Sequence, residues 1–319
     1  MRIHELNCGT LNVPGGAAVF GASHFVCRCL LIELPDRLVA VDTGIGRGDI
    51  DSPELRLGKD WIEQVGPALD PAETLFARVS ALGLDPRDVS DIVLTHHHRD
   101  HAGGLSDFPA ARVHATSACR SAVVRGEGHT MYAQWAHGVR WAPAPTPASA
   151  WRGRDSWTLD GLPASIRLVA LSGHSPGHAG VLIEDAGGGD DAMGWQSAGG
   201  PENPAGREYA RGQENPAGRE GTANGESAGG RELLHVGDAI YHHAQLGCAA
   251  PPAVEAFAAA VQHDATARLA TERLLADLAG EGTVRLLTSH DPAPVQRPEP
   301  TRTARRTDTA RRTETGHGG

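Results

Sequence analysis

Residues 95–104 read Thr-His-His-His-Arg-Asp-His-Ala-Gly-Gly (THHHRDHAGG) and follow directly on an apolar run, Ile92-Val93-Leu94. Asp91 to Thr95 has the length and β-branched content of a buried strand, so the polar cluster starts where a strand stops. Within it His96, His98, Asp100 and His101 form the pattern H-x-H-x-D-H. A short, tight loop after a strand can turn these side chains toward one centre. Imidazole nitrogen and carboxylate oxygen are the donors that zinc, iron and manganese accept. His96 and His98 then serve one cation, and Asp100 and His101 reach a second. Gly103 and Gly104 are expected to let the backbone turn close to the metals with no Cβ in the way. His97 lies between the ligands and is expected to point elsewhere.

One cluster cannot fill two coordination shells, so further donors must come from other parts of the chain. Three more polar stretches follow strands. Ser172 to His178 (SGHSPGH) supplies His174 and His178, His235 to Tyr241 (HVGDAIY) supplies Asp238, and Thr288 to Pro292 (TSHDP) supplies His290. Asp238 is a carboxylate able to bridge two cations. Three histidines and the shared aspartate fill the first position if His178 joins His96 and His98. Asp100, His101, His290 and the same aspartate fill the second. A single histidine at a strand end is usually a solvated or capping residue; four polar strand ends in this order are not. His4, His24, His114, His129, His137, His242, His243 and His263 are read as incidental.

The rest of the chain alternates short strands with helices. Strands are expected at Phe25 to Leu34, Leu38 to Val41, Ile166 to Leu171, Val181 to Glu184, Leu233 to Val236 and Val284 to Thr288. Asp70 is expected to begin a helix with Pro71 at its first position and Glu73 in a capping box, closed by Gly83. A second helix is expected over Asp264 to Leu278, ending at Gly280. Residues 187–231 are rich in Gly, Ala, Glu, Asn and Arg and repeat ENPAGRE at 202–208 and 214–220. They have too little to bury to offset the entropy of ordering, so a disordered low-complexity insertion is expected there. An Arg/Thr-rich tail, 293–319, is expected to be disordered as well. What remains of residues 1–292 reads as a single domain.

The net charge of −10 disfavours a nucleic-acid partner for the folded body. Lys59 is the single lysine, the other basic residues being arginines. The five cysteines (Cys8, Cys27, Cys29, Cys119, Cys248) are odd in number and scattered. Cys27 and Cys29 would share one face of a strand, but no second Cys pair stands at zinc-ribbon spacing, so buried reduced thiols are expected. The stretch MRIHELNCGT has neither a basic nor an apolar region of a secretory signal, and no window approaches a membrane span. A reducing cytoplasm is the expectation.

Taken together, these motifs resemble the metallo-β-lactamase superfamily. The resemblance covers the chain outside the insertion and tail. It implies an α/β fold, a four-layer αββα sandwich with metals at the sheet edges. It also implies that His178, and not His174, is the ligand in HSPGH, with His174 supporting the loop. Val41 to Gly44 (VDTG) matches an early family motif in which Asp42 orients ligand histidines. The cofactors implied are two divalent metal ions, zinc foremost with iron or manganese open, and the activity a binuclear metal-dependent hydrolase in which a metal-bridging hydroxide attacks an ester-like carbonyl.

Zinc β-lactamases of the best-known type carry Cys where this chain has Asp238, and flavodiiron relatives replace the second cluster histidine with Glu. Asp238-Ala239-Ile240-Tyr241 is similar to the D-x-x-Y of N-acyl homoserine lactonases. That likeness implies catalytic roles for Tyr241, hydrogen-bonding the carbonyl oxygen as charge develops, and for Asp100, carrying a proton to the leaving alkoxide. A glyoxalase-II-like thioester hydrolase and a non-catalytic metal-binding protein are the alternatives. Tyr132, Trp135 and Trp141 either line an apolar substrate pocket, anchor a Pro-rich loop or bury at a homodimer contact. The partner expected is a small-molecule substrate, with neither nucleic acid nor membrane.

Overall fold

The computed structural model describes residues 1–184, 232–247 and 249–292. The expected disorder of 187–231 and 293–319, and Cys248, lie outside these. Apolar residues at a period of two build the strands, and both faces of each sheet are covered, so the alternation separates two kinds of core rather than core from solvent. The first sheet runs β1 (Arg2–Leu11), β2 (Phe25–Glu33), β3 (Leu38–Val41), β4 (Val89–Val93), β5 (Arg112–His114) in that spatial order. The second runs β11 (Val284–Leu287), β10 (Glu232–His235), β9 (Ala179–Ile183), β8 (Ile166–Ala170), β7 (Arg154–Thr158), β6 (Thr146–Trp151).

Leu30, Ile32, Val39, Val41 and Val93 of the first sheet pack on Ile166, Leu168, Val181, Ile183 and Leu233 of the second, forming the central layer. The alternate residues face outward. Cys29, Leu31, Ala40 and Ile92 meet Leu75 and Val79 of the helix Leu75–Ala81 and Cys119 of the helix Ser117–Arg125. Val169, Leu182, Leu234 and Leu286 meet Leu275 and Leu278 of the helix Ala265–Glu281. The order is helix, sheet, sheet, helix, an αββα sandwich.

The strand ends that carry polar clusters meet where the two sheets touch. Ala179 N–H of β9 donates to Thr95 O beyond β4, and Val26 and Arg28 of β2 donate to His290 O and Ser289 O beyond β11. Parallel pairing of β3 with β4 and of β10 with β11 points the C-terminal ends of each pair the same way.

Two helix boundaries differ from the sequence reading. Asp70 caps only the short 3₁₀ turn Pro71–Glu73, accepting from Ala72 N. The α-helix starts at Thr74, whose hydroxyl accepts from Ala77 N. Glu73 makes no capping box, because its carboxylate reaches back to β1 and accepts from Thr10 N at 2.7 Å and Thr10 Oγ1 at 2.8 Å. The later helix runs past Gly280 to Glu281, with Asp264 as its N-cap and Gly282 in the left-handed conformation at its end. No helix among the described residues is long and apolar enough to cross a membrane.

Asp91, buried on β4, ties the first sheet together. Its carboxylate accepts from His114 Nε2 at 2.8 Å, Arg112 Nε at 3.0 Å and Ser90 Oγ at 2.7 Å. Burial alone would raise its pKa, but the bonds from His114 and Ser90 and the Arg112 charge pull it down to about 2. A folded pKa below the unfolded one stabilises above the unfolded value and stops doing so as pH falls through the folded value. Asp91→Asn is therefore expected to cost about 2 kcal/mol at neutral pH. The difference between variant and wild type should close between about pH 4 and about pH 2, which urea unfolding at a series of pH values measures.

Candidate metal centre

His96, His98, Asp100 and His101 are all buried on the turn that follows β4, with His98 at the N-cap of the short helix Arg99–Ala102. The turn is pinned from below by Asp42. Its Oδ1 accepts from Thr95 N at 2.8 Å, and its Oδ2 accepts from Thr95 Oγ1 at 2.8 Å and from His101 Nδ1 at 2.9 Å. Gly103 and Gly104 serve a different purpose from the one expected. A Cβ on Gly103 would lie 2.0 Å from Asp49 Oδ2, and one on Gly104 would lie 2.8 Å from Thr43 O. The glycines let this turn pack against the loop after β3, and do not relieve crowding at the metal position.

The donor atoms of His96, His98, His174 and Asp238 lie within 4.8 Å of one another, as do those of His101, Asp238 and His290. His174 Nε2 is 3.1 Å from His96 Nε2, 2.9 Å from His98 Nδ1 and 3.4 Å from Asp238 Oδ2. On the other side, Asp238 Oδ1 is 3.1 Å from His101 Nε2 and 3.0 Å from His290 Nε2. One carboxylate therefore faces both nitrogen groups, one oxygen to each. Asp100 Oδ2 is 3.5 Å from His290 Nε2, which places it on the second side.

The expected ligand His178 is not in the first group; His174 is. Both ring nitrogens of His178 are taken by backbone: Nδ1 donates to Leu171 O at 2.8 Å and Nε2 accepts from Asp238 N at 3.0 Å. Burial holds its pKa down to about 4, so the ring is neutral and this pairing is consistent with one tautomer. His178 thus fastens the turn that carries Asp238. Gly173, at φ +135, reverses the chain before His174; a Cβ there would sit 2.3 Å from the Arg268 backbone. His97 leaves the group, its Nε2 pairing with Glu127 O.

The outer nitrogens decide what the inner ones can do. His101 Nδ1 donates to Asp42, His290 Nδ1 to Val26 O at 2.9 Å, and His174 Nδ1 pairs with Tyr241 Oη at 2.9 Å. Thr95 Oγ1 spends its proton on Asp42, so it accepts from His96 Nδ1 at 3.0 Å. Four rings are thereby fixed with their second nitrogen, a lone pair, turned inward. His101 Nε2 and Asp238 Oδ1 are buried with no hydrogen-bond partner. Lone pairs and carboxylate oxygens facing one another need cations or protons between them. The donor set fits divalent metals of the zinc, iron and manganese type.

Without cations, protons take that place unevenly. Burial, then the charge of His101, drives His96 well below its ordinary pKa, and burial does the same for His98 and His174. Burial opposes protonation of His101 too, but Asp238 and Asp42 raise it well above the usual value. Burial would raise Asp238, whereas His290 and His101 hold it well below the carboxylate range. Metal and proton compete for the same lone pairs.

Above this floor lies a cavity of ≈ 720 Å³ whose walls include Leu11, Val13, Phe20, Phe25, Trp61 and Phe257. Of the readings open for Tyr132, Trp135 and Trp141, the pocket wall is not the one seen, since none of the three lines this cavity. Tyr132 is 66% exposed, and Trp135 and Trp141 stack on each other at 5.8 Å over the outer core of the first sheet. They anchor their loop. The true wall comes from segments too far apart in sequence to form a motif. His129, read as incidental, also lines the cavity, its ring 5.1 Å from that of His98.

Residues 23–194 match the family model of the metallo-beta-lactamase superfamily, more than half of the chain. The chain belongs to that superfamily. A probable metallo-hydrolase of Mycobacterium tuberculosis is 38% identical over 193 residues, which are 59% of this chain and 59% of the relative. The matched region thus spans about three-fifths of that relative's length. An N-acyl homoserine lactonase of Bacillus cereus is 25% identical over 156 residues, 49% of this chain and 57% of its own. Among solved structures, an N-acyl homoserine lactone hydrolase with N-hexanoyl-L-homoserine at its catalytic metal centre superposes with a TM-score of 0.58. It shares 17% identity, covering 91% of this chain and 93% of the other, a likeness of fold.

Proposed function

We propose that this chain is a binuclear metal-dependent hydrolase of small ester-like substrates, lactones foremost, with zinc as its metal. The observation that carries the reading is Asp238, whose two oxygens face two nitrogen groups at the floor of an apolar cavity. His96, His98 and His174 would hold one cation, His101, His290 and Asp100 the other, with Asp238 shared. Bound there, divalent cations supply Lewis acidity that polarises a carbonyl and acidifies water.

The remaining chemistry belongs to the chain. With His174 Nε2 turned to the metal position, its Nδ1–H donates to Tyr241 Oη, leaving the phenolic proton free for a substrate oxygen. Tyr241 also lines the cavity, with its ring stacked on His290 at 5.8 Å. Asp100 opens onto the same cavity and can pass a proton to a leaving alkoxide. The apolar walls suit an acyl chain, and the named activity of the lactonase relatives supports the lactone.

Metal-loaded protein offered lactones, acyl thioesters, phosphodiesters and β-lactams is expected to open lactones best. Turnover confined to thioesters would replace the lactonase reading with a glyoxalase-II-like one, and stoichiometric metal without turnover would leave a binding protein. Tyr241→Phe keeps the ring contacts and removes the hydroxyl. It is expected to lower kcat at saturating metal by about 10²-fold, with KM little changed and metal affinity reduced by less than about tenfold. An unchanged kcat at saturating metal would confine Tyr241 to orienting His174.

A further inference from the structure

We propose that Cys27 is a sulfur ligand at the second cation position, beside Asp100 and His290. This rests on the two-cation reading above and adds a donor to it. Cys27 is buried near the start of β2, and its Sγ, a carboxylate oxygen of Asp100 and a ring nitrogen of His290 all lie within 4.8 Å of one another. Its Sγ makes no hydrogen bond among the described residues. His290 belongs also to the group of His101 and Asp238, whose buried Nε2 and Oδ1 have no hydrogen-bond partner, so the two groups share one imidazole.

The backbone explains why this thiol and not its neighbour reaches the centre. Val26, next to Cys27, donates its N–H to His290 O and accepts from His290 Nδ1, so the strand that carries the sulfur also orients the imidazole. Cys29, two residues on, packs with Cys8, Leu31 and Ala40 in the outer core of the first sheet. Cys27 is a buried free thiol, as expected, and a single thiolate among nitrogen and oxygen donors needs no second cysteine at zinc-ribbon spacing. On binding, the S–H bond breaks, an S–metal bond forms, and the proton leaves to buffer. A sulfur donor shifts this position toward thiophilic ions such as zinc, cobalt and cadmium, and away from magnesium and manganese.

Cobalt(II) titration of the reduced, chelator-stripped full chain tests this without reference to turnover. The visible bands of cobalt report nitrogen and carboxylate ligation, and a strong near-ultraviolet thiolate-to-cobalt charge-transfer band reports sulfur. The wild type is expected to show both. Cys27→Ala and Cys27→Ser should lose the charge-transfer band and keep visible bands, while Cys8→Ala, Cys29→Ala, Cys119→Ala and Cys248→Ala keep both. Those four controls assign the band to Cys27 even if the Cys27 variants do not fold. Visible bands with no charge-transfer band in the wild type overturn the proposal and leave the metal centre standing. No cobalt uptake overturns both, and loss of the band in a control variant assigns the sulfur elsewhere and overturns it too.

Discussion

His174→Ala is expected to lose one equivalent of bound metal and to lower kcat/KM by about 10³-fold or more, whereas His178→Ala should keep both equivalents at saturating metal. Removing an inward lone pair from the group of His96, His98 and Asp238 leaves a cation three protein donors at most. The several kcal/mol of transition-state stabilisation that a bound cation supplies correspond to at least about a thousandfold in rate. His178 touches no such position. Its loss frees Leu171 O and Asp238 N, loosening the turn beneath the shared carboxylate. Losses of this supporting kind run to about 10–100-fold in metal affinity or activity. Metal analysis after dialysis at graded free zinc, paired with turnover, separates the two. A His178→Ala protein that drops a full equivalent while His174→Ala retains both would return the assignment to His178.

That pair of variants also marks where the sequence stops being informative. His96, His98, Asp100, His101, Asp238 and His290 could be picked out because each follows a recognisable strand and carries a donor group. Their gathering then needs only that the strands lie side by side with their ends together. Within Ser172 to His178 the spacing offers two histidines four residues apart, and no periodicity says which faces the centre. The choice falls to the reversal at Gly173 and to backbone groups at Leu171 and Asp238, which are distant in sequence or set by the loop itself.

Edge strands were hidden for another reason. β6 carries Pro147 and exposed residues, as an edge allows, and so has no alternation to read. β1 mixes His4, Glu5 and Asn7 into its apolar run. Two of those groups pair elsewhere, His4 Nε2 with Glu33 at 2.6 Å and Glu5 with Arg28 at 2.8 Å. The cavity wall was the least legible part. Leu11, Phe25, Trp61 and Phe257 converge only after the sandwich forms, and singly they look like ordinary core residues.

Asp238→Ala is expected to have the broadest effect of any single change, because one carboxylate is shared. Each histidine group would keep its nitrogens but lose the oxygen that faces them at 3.0–3.9 Å. A cation at either position would then lack the negative charge that offsets its own in a buried setting. Activity should fall by more than about 10³-fold. The same loss has a reading in stability that does not depend on identifying the substrate. Metal held a thousandfold above its dissociation constant stabilises the fold by about 4 kcal/mol per site. In the wild type, unfolding with zinc and with chelator should therefore differ widely. In Asp238→Ala the two curves should nearly coincide, while His97→Ala, which removes a ring outside the group, keeps the wild-type separation. Coincident curves in the wild type would mean that the inward lone pairs are satisfied by protons alone, and that Asp238 serves the fold rather than a metal.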